Sequence, residues 1–327
     1  MIRSTAFLVV FAFMGTTSAQ TTKDAATAPA KKARPNIYDE NADGKALLAE
    51  ACKRAAKDNK RVLVQWGGNW CGWCHLLHDF YKKEPEVAKI LRDEYELVLI
   101  DVTQFKKDES HWKSLGVDFA NHGFPFLTIV DASGKLVANE ATAPLETPKD
   151  KAKTNGYEKD KVLAVLKKHV APPLVARDVL AGAIARAKRE NRLVFLHFGA
   201  PWCGWCRHLE NWAAQPSVAS LLAKDFVDLK IDTDRMTGGK EVLAAHCKEQ
   251  GGIPWFAVLD ASGKSLADSG LGAKNIGFPS TDDEIARFAE LLNKVRRNLT
   301  EEDVTTIAAS LKAWRSKSQP RASVAGK

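Results

Sequence analysis

Beyond its first nineteen residues the chain has no apolar run approaching the roughly 20 residues that a spanning helix needs, so no later segment predicts one. It also lacks any stripe of Lys and Arg interleaved with aromatics. The formal charge of +8 comes from dispersed lysines and a basic C-terminal stretch, which reads as a solvated surface and excludes nucleic acid as an expected partner. Cysteine is scarce: six in 327 residues, four of them in two tight pairs rather than spread over loops. That distribution excludes a disulfide scaffold and predicts working thiols. The length and globular composition predict two cores.

Residues 1–19 have the form of an export signal, with Arg3 as the early charge, an apolar Ala6 to Met14, and Thr17-Ser18-Ala19 as a small-residue cleavage site before Gln20. The mature protein is therefore expected to be exported, periplasmic or secreted, after cleavage near Ala19. No stable membrane insertion is expected, an uncleaved anchor being the alternative. Residues 20–36, rich in Ala, Thr, Lys and Pro, read as a flexible linker.

What is present is a nine-residue stretch carried twice. Trp70-Cys71-Gly72-Trp73-Cys74-His75-Leu76-Leu77-His78 recurs 132 positions on (71 to 203) as Trp202-Cys203-Gly204-Trp205-Cys206-Arg207-His208-Leu209-Glu210. Each copy follows an apolar run that reads as a buried strand, Val62 to Trp66 and Leu193 to Phe198, and each opens a stretch with helical spacing. A helix N-terminus lowers the pKa of a thiol placed on it. Cys71 and Cys203 are therefore expected as exposed thiolate nucleophiles, with Cys74 and Cys206, one turn further in, as resolving partners.

The surroundings repeat as well. Gly123-Phe124-Pro125 is matched by Gly252-Ile253-Pro254, and the turn Asp131-Ala132-Ser133-Gly134-Lys135 by Asp260-Ala261-Ser262-Gly263-Lys264. Return strand Leu136 to Ala138 follows the first turn. The predicted organisation is one domain over 37–170, a second over 172–295, a C-terminal helix over 296–315 and a basic tail over 316–327.

Two other chemistries share parts of the motif. Cys71-Gly72-Trp73-Cys74-His75 also spells a c-type haem attachment sequence, but the second copy has Arg207 where the haem ligand would stand. Zinc on Cys71, Cys74, His75 and His78 fits by ligand type. Helical geometry, however, directs the histidines away from a centre shared with both thiols, and the second copy lacks the first of them. No metal and no cofactor are expected. Cys52 and Cys247, outside the pairs, read as inert helix thiols.

A strand, WCGWC and a helix, followed by a glycine, an apolar residue and a proline ahead of a strand and turn, all present twice, resemble the thioredoxin fold in tandem. More narrowly they resemble the exported thioredoxin-like thiol–disulfide oxidoreductases. The resemblance covers roughly 36–170 and 172–295. It implies an α/β class with two tandem thioredoxin-like domains, each a central mixed sheet flanked by helices. It also implies that Phe124-Pro125 and Ile253-Pro254 lie opposite the cysteines with a cis bond and offer backbone to a substrate strand, beside Trp70 and Trp202 as flat apolar surface. The implied partners are protein disulfides or dithiols and an upstream redox protein. Direction stays open, because the Gly-Trp dipeptide between the cysteines is not the Gly-Pro of reductant members. The rival reading is a binding or chaperone-like module without redox turnover, against which four intact motif cysteines count.

Beneath the cysteines the two copies part. The family buries an Asp six positions before the first cysteine, near a Lys four positions before the Asp that ends the next strand. Those slots hold Gln65 and Leu97 in the first copy, and His197 and Asp228 in the second. A His197–Asp228 proton relay serving Cys206 is therefore expected, which Gln65 cannot provide. His75 and Arg207, each four positions after its nucleophile, either stabilise the thiolate or point to solvent.

Overall fold

The computed structural model describes Met1 and residues 34–148, 155–247, 252–270 and 274–318. The first half runs through Gly44–Asp58 (α1), Arg61–Gly67 (β1), Gly72–Lys83 (α2), Pro85–Glu94 (α3), Tyr95–Asp101 (β2), Thr103–Lys107 (α4), Glu109–Ser114 (α5), Phe126–Val130 (β3), Leu136–Ala141 (β4) and Lys159–Lys168 (α6). The second runs through Ala176–Glu190 (α7), Leu193–Gly199 (β5), Gly204–Ala213 (α8), Pro216–Leu222 (α9), Phe226–Asp232 (β6), Gly239–His246 (α10), Trp255–Leu259 (β7), Ser265–Asp268 (β8), Asp282–Val295 (α11) and Glu301–Ser318 (α12). Each half makes a mixed sheet, ordered β2-β1-β3-β4 and β6-β5-β7-β8, in which the first pair is parallel and the others antiparallel. The expected α/β class, two mixed sheets flanked by helices, is what the chain adopts.

β1 and β5 are central and covered on both faces, which is why they read as unbroken apolar runs. Val62, Val64 and Trp66 pack with Leu48 and Ala51 of α1, whereas Leu63 packs with Leu77 and Leu91 on the opposite face. In β5, Val194, Leu196 and Phe198 pack with Ala183 and Ala187 of α7, and Leu193 and Phe195 with Leu209 of α8. The period of two along a strand then puts Gln65 and His197 on the faces covered by the cysteine helices.

Local signals recur with the sheets. α1 starts where the Asp43 carboxylate accepts from the Ala46 N–H at 3.0 Å, and stops at Asn59 with φ 49°; α7 stops at Asn191 with φ 48°. A left-handed Asn at each helix end turns the chain directly into its central strand. Asp131 Oδ1 accepts from the N–H groups of Ser133 and Lys135 at 2.9 and 3.0 Å, and Asp260 repeats this at 2.8 and 3.0 Å. Gly134 and Gly263 supply the φ of 85° and 86° that these turns require.

The chain departs from expectation in two boundaries. β4 continues past Ala138 to Ala141, because pairing of Ala141 with Phe126 keeps the ladder going. The last helix spans Glu301–Ser318, not 296–315, so residues 316–318 are helix rather than tail. The cause is Asp225, fully buried, which accepts from the backbone N–H groups of Arg297, Asn298 and Leu299 at 2.8, 2.6 and 3.0 Å and holds them in a turn. Val304, Ile307 and Leu311 of α12 lie in the second core beside Trp212 and Phe288, so this helix is part of that core. Burying each such side chain contributes about 1.5–3 kcal/mol. Residues 2–19 of the expected export signal, 20–33 of the linker and 319–327 of the tail lie outside the described residues. Among the described residues no helix is long and apolar enough to cross a membrane.

The halves meet through Arg235, just after β6. It donates to both carboxylate oxygens of Glu94, at 3.0 and 2.8 Å, and to the backbone carbonyls of Asp58 and Asn59 at the C-terminal end of α1.

Candidate active site at two disulfides

The two cysteine pairs are closed as Cys71–Cys74 and Cys203–Cys206, with Cα atoms 5.3 Å apart in both. Cys71 is the N-cap of α2 and Cys203 the N-cap of α8. Each outer sulfur accepts the N–H of its inner partner at 3.1 Å, so it sits on unsatisfied helix donors at the positive end of the dipole. The inner cysteine lies over a glycine that the sulfur requires. A Cβ on Gly67 would collide with Cys74 Sγ and the Tyr38 hydroxyl, and one on Gly199 would stand 3.1 Å from Cys206 Cβ. Both X-Pro bonds facing the sulfurs, Phe124–Pro125 and Ile253–Pro254, are cis, and Cys203 Sγ lies 3.6 Å from the Ile253 carbonyl oxygen.

The outer cysteines are not exposed as expected. Cys71 and Cys203 are each only 5% accessible, because the disulfide folds the sulfur under the proline loop. What is exposed is tryptophan: Trp70 at 68%, Trp202 at 58% and Trp205 at 56%. Trp70 meets Phe124 edge-on at 5.8 Å, whereas the Trp202 indole N–H donates to Asp234 at 2.7 Å. The shared Gly-Trp dipeptide also diverges. Trp73 leans edge-on against Tyr157 at 5.5 Å and is half-buried, while Trp205 lies over Phe278 at 6.2 Å and faces solvent.

His75 and Arg207 do not turn to the sulfurs. His75 Nε2 donates to the Asn69 carbonyl at 3.0 Å and Arg207 to the Pro201 carbonyl at 2.6 Å, so two different residues brace the same loop position, two before the outer cysteine. Asn69 itself accepts from the N–H groups of Ile37 and Tyr38 at 2.9 and 3.0 Å and donates to the Tyr38 carbonyl at 3.0 Å. It thereby pins Tyr38 beneath Cys74, where the hydroxyl accepts from Gln65 Nε2 at 2.7 Å. Burial pushes this phenol well above its ordinary range, the Gln65 bond countering only in part. Gln65 also donates to the Cys74 carbonyl at 3.3 Å.

In the second half the corresponding space is charged. Glu210 Oε1 and Cys206 Sγ both lie 3.5 Å from the point where a Gly199 Cβ would be. Glu210 is one turn after Cys206 on the same face of α8, 8% exposed, and its Oε2 accepts from Lys230 Nζ at 2.9 Å. His197 is buried and its Nε2 lies 3.2 Å from Asp228 Oδ1, which is 62% exposed, so that pair leads toward the surface. Of the residues singled out from sequence, the fold brings Cys203, Cys206, Ile253 and Pro254 together, and likewise Cys71, Cys74, Trp70, Phe124 and Pro125. The sequence reading missed Tyr38, Glu210 and Lys230. The available signal was spacing: Glu210 stands four after Cys206, and Lys230 shares the strand parity of Asp228.

Comparison with known families and proteins agrees with this geometry. Residues 44–132 match the thioredoxin-like family, and residues 158–317 match the DsbH thioredoxin family, described as a protein of unknown function, DUF255. Two curated relatives are similar to more than half of the chain. Protein disulfide-isomerase erp38 of Neurospora crassa is 26% identical over 187 residues, 56% of this chain and 47% of that protein. Protein disulfide-isomerase tigA of Aspergillus niger is 26% identical over 209 residues, 60% and 50% of the two chains. The chain thus spans about half the length of the curated relatives it matches. Among solved structures, a disulphide isomerase from Xylella fastidiosa is 26% identical, covering 42% of this chain and 90% of that one, with a TM-score of 0.29.

Proposed function

Because the chain is a tandem of two thioredoxin-fold domains, each with its own CxxC disulfide, we propose that it is a thiol–disulfide oxidoreductase acting on protein disulfides or dithiols outside the cytoplasm. One observation carries the reading: in both halves the outer sulfur caps a helix, accepts the N–H of its inner partner and lies beside a cis-proline loop. Once reduced, Cys71 or Cys203 is held as a thiolate by the helix end and attacks a client disulfide. The client strand lies along the backbone at Phe124-Pro125 or Ile253-Pro254, against Trp70 or Trp202. Cys74 or Cys206 then resolves the mixed disulfide, and the reverse order oxidises a client dithiol.

The proton of the inner thiol must go somewhere in that step. In the second domain Glu210 shares the space under Gly199 with Cys206 and is the proposed acceptor, and His197 with Asp228 forms an outer route on the same sheet face. In the first domain Tyr38 and Gln65 offer hydrogen bonds only. The domain limits 37–170 and 172–295, extended at the C-terminus by α12, are supported by the separate apolar clusters of the two halves. Export is supported by the pattern of residues 1–19, and electrons are exchanged with another redox protein. The test is insulin reduction in dithiothreitol, wild type against Cys71→Ser/Cys203→Ser; equal turbidity traces would overturn the enzyme reading in favour of a binding module.

A further inference from the structure

Lys230 serves two carboxylates at once. Its Nζ lies 2.9 Å from Glu210 Oε2 under the second disulfide and 3.1 Å from Oδ1 of Asp58, the last residue of α1 in the first domain. Burial opposes the lysine's charge, but Glu210 and Asp58 together outweigh it and hold the ammonium above the ordinary lysine range. Asp58 is likewise kept below the ordinary range by Lys230, against the effect of burial. The Asp58 backbone carbonyl is fixed by Arg235, so the carboxylate is presented to Lys230 by a second contact from the same strand end. On its other side Glu210 lines a crevice of about 310 Å³ shared by Lys57 of α1 and Arg186, Arg192 and Asp228 of the second domain. At the matching strand position the first domain has Leu99, opposite Gln65, where the second has Lys230 opposite His197.

We propose that Asp58 is a positioning residue for the second site: by sharing Lys230 with Glu210, the first domain sets how readily Glu210 accepts the proton of Cys206. This rests on the oxidoreductase reading above. In the step, the Cys206 thiol gives its proton to Glu210 and its sulfur attacks Cys203 Sγ. The bond from Cys203 to the client sulfur breaks, the Cys203–Cys206 bond forms, and the client leaves as a thiolate. The client is reduced, the cysteine pair is oxidised, and the proton passes from Glu210 to solvent through the crevice. Two anions dividing one ammonium leave Glu210 less fully paired than it would be with Lys230 to itself. Without Asp58 the whole lysine charge falls on Glu210, which becomes the poorer acceptor. The other charged groups around Glu210 are Lys57, Arg186, Arg192, His197 and Asp228. Arg186 and Arg192 are paired with Glu190, and His197 with Asp228.

The test uses the full chain carrying Cys71→Ser/Cys74→Ser, reduced and mixed in stopped flow with an aromatic disulfide whose thiolate is coloured. The first release reports attack by Cys203 and the second reports resolution by Cys206. Asp58→Asn is expected to slow the second phase about three- to tenfold at neutral pH and to lower its pH midpoint by about half a unit to one unit, with the first phase unchanged. Asp58→Glu restores the profile. A second phase that superimposes on the parent across the pH range overturns the proposal. So does an Asp58→Glu variant that stays as slow as Asp58→Asn, since the position would then matter for packing and not charge. Failure of the underlying oxidoreductase reading looks different: the unmodified chain would leave insulin unreduced even with both phases present.

Discussion

In the first domain the inner sulfur shares the space beneath its strand glycine with the Tyr38 hydroxyl, tied to the Gln65 amide; in the second it shares that space with the Glu210 carboxylate, tied to Lys230. The sulfurs themselves are held alike, down to the 3.1 Å bond from each inner N–H and the cis proline opposite. The comparison teaches that one fold can keep the covalent half of disulfide exchange constant while changing the proton half. A phenol lifted by burial exchanges no proton near neutrality, so on the proposal above the first site would trade protons with solvent and the second would use an internal acceptor.

The sharpest way to break the comparison is at the sulfurs. Cys74→Ala and Cys206→Ala each leave a mixed disulfide with no internal escape, so both variants should accumulate covalent client adducts on non-reducing gels, and Cys71→Ala and Cys203→Ala should accumulate none. Adducts carried by Cys52 or Cys247 instead would refute the assignment. The next effect is on stability, and only in the second domain. Ile307→Ala should cost about 2–5 kcal/mol in denaturant unfolding, since Ile307 is fully buried in a core that α12 completes, and the described residues of the first domain include no such helix.

Smaller effects sharpen the proton contrast. Glu210→Gln should slow resolution at the second site about ten- to a hundredfold at neutral pH, with His197→Leu slowing it less, while Tyr38→Phe should change the first site by less than about threefold. Single-site chains followed by stopped flow would decide it, and equal losses in both domains would erase the distinction. The smallest effect is a pH slope. The raised value of Lys230 means its stabilisation is present below the ordinary lysine range and lost as pH climbs through the folded value; the depressed Asp58 is stabilising above the ordinary aspartate range and loses this as pH falls. The junction should therefore hold best between about pH 4 and pH 10. Lys230→Met should flatten the alkaline decline in melting temperature, and a decline unchanged from the wild type would show that Lys230 does not carry it.

Strands, turns and the cysteine-bearing helices were legible because each is a local signal: an apolar run, an Asp-Ala-Ser-Gly-Lys turn, and helical spacing after each cysteine pair; α11 likewise starts at a local signal, the Thr281–Glu284 capping box. Phe124-Pro125 and Ile253-Pro254 were legible through the resemblance. Glu210 was not, because on a helix an acidic residue among Arg207, His208 and Asn211 reads as solvated surface, and only the packing of α8 on β5 and β6 buries it. Tyr38 was hidden for another reason. It precedes the first helix and reaches Cys74 only because Asn69 ties the segment down, a contact across 31 positions. The capping of α12 at Thr300 was legible as a local signal, but the turn ahead of it was not, because Asp225 holds that turn from 72 to 74 positions away.

Sharing one lysine between Glu210 and Asp58 also acts in the opposite direction. Coupling free energy is reciprocal, so whatever the first domain does to proton uptake at Glu210, proton uptake at Glu210 does to the grip of the first domain. When Glu210 takes up a proton during turnover, Lys230 loses one of its two anions and settles on Asp58, tightening the contact between α1 and β6. On that proposal the contact between α1 and β6 would tighten once in every catalytic cycle of the second site, at the moment the client leaves.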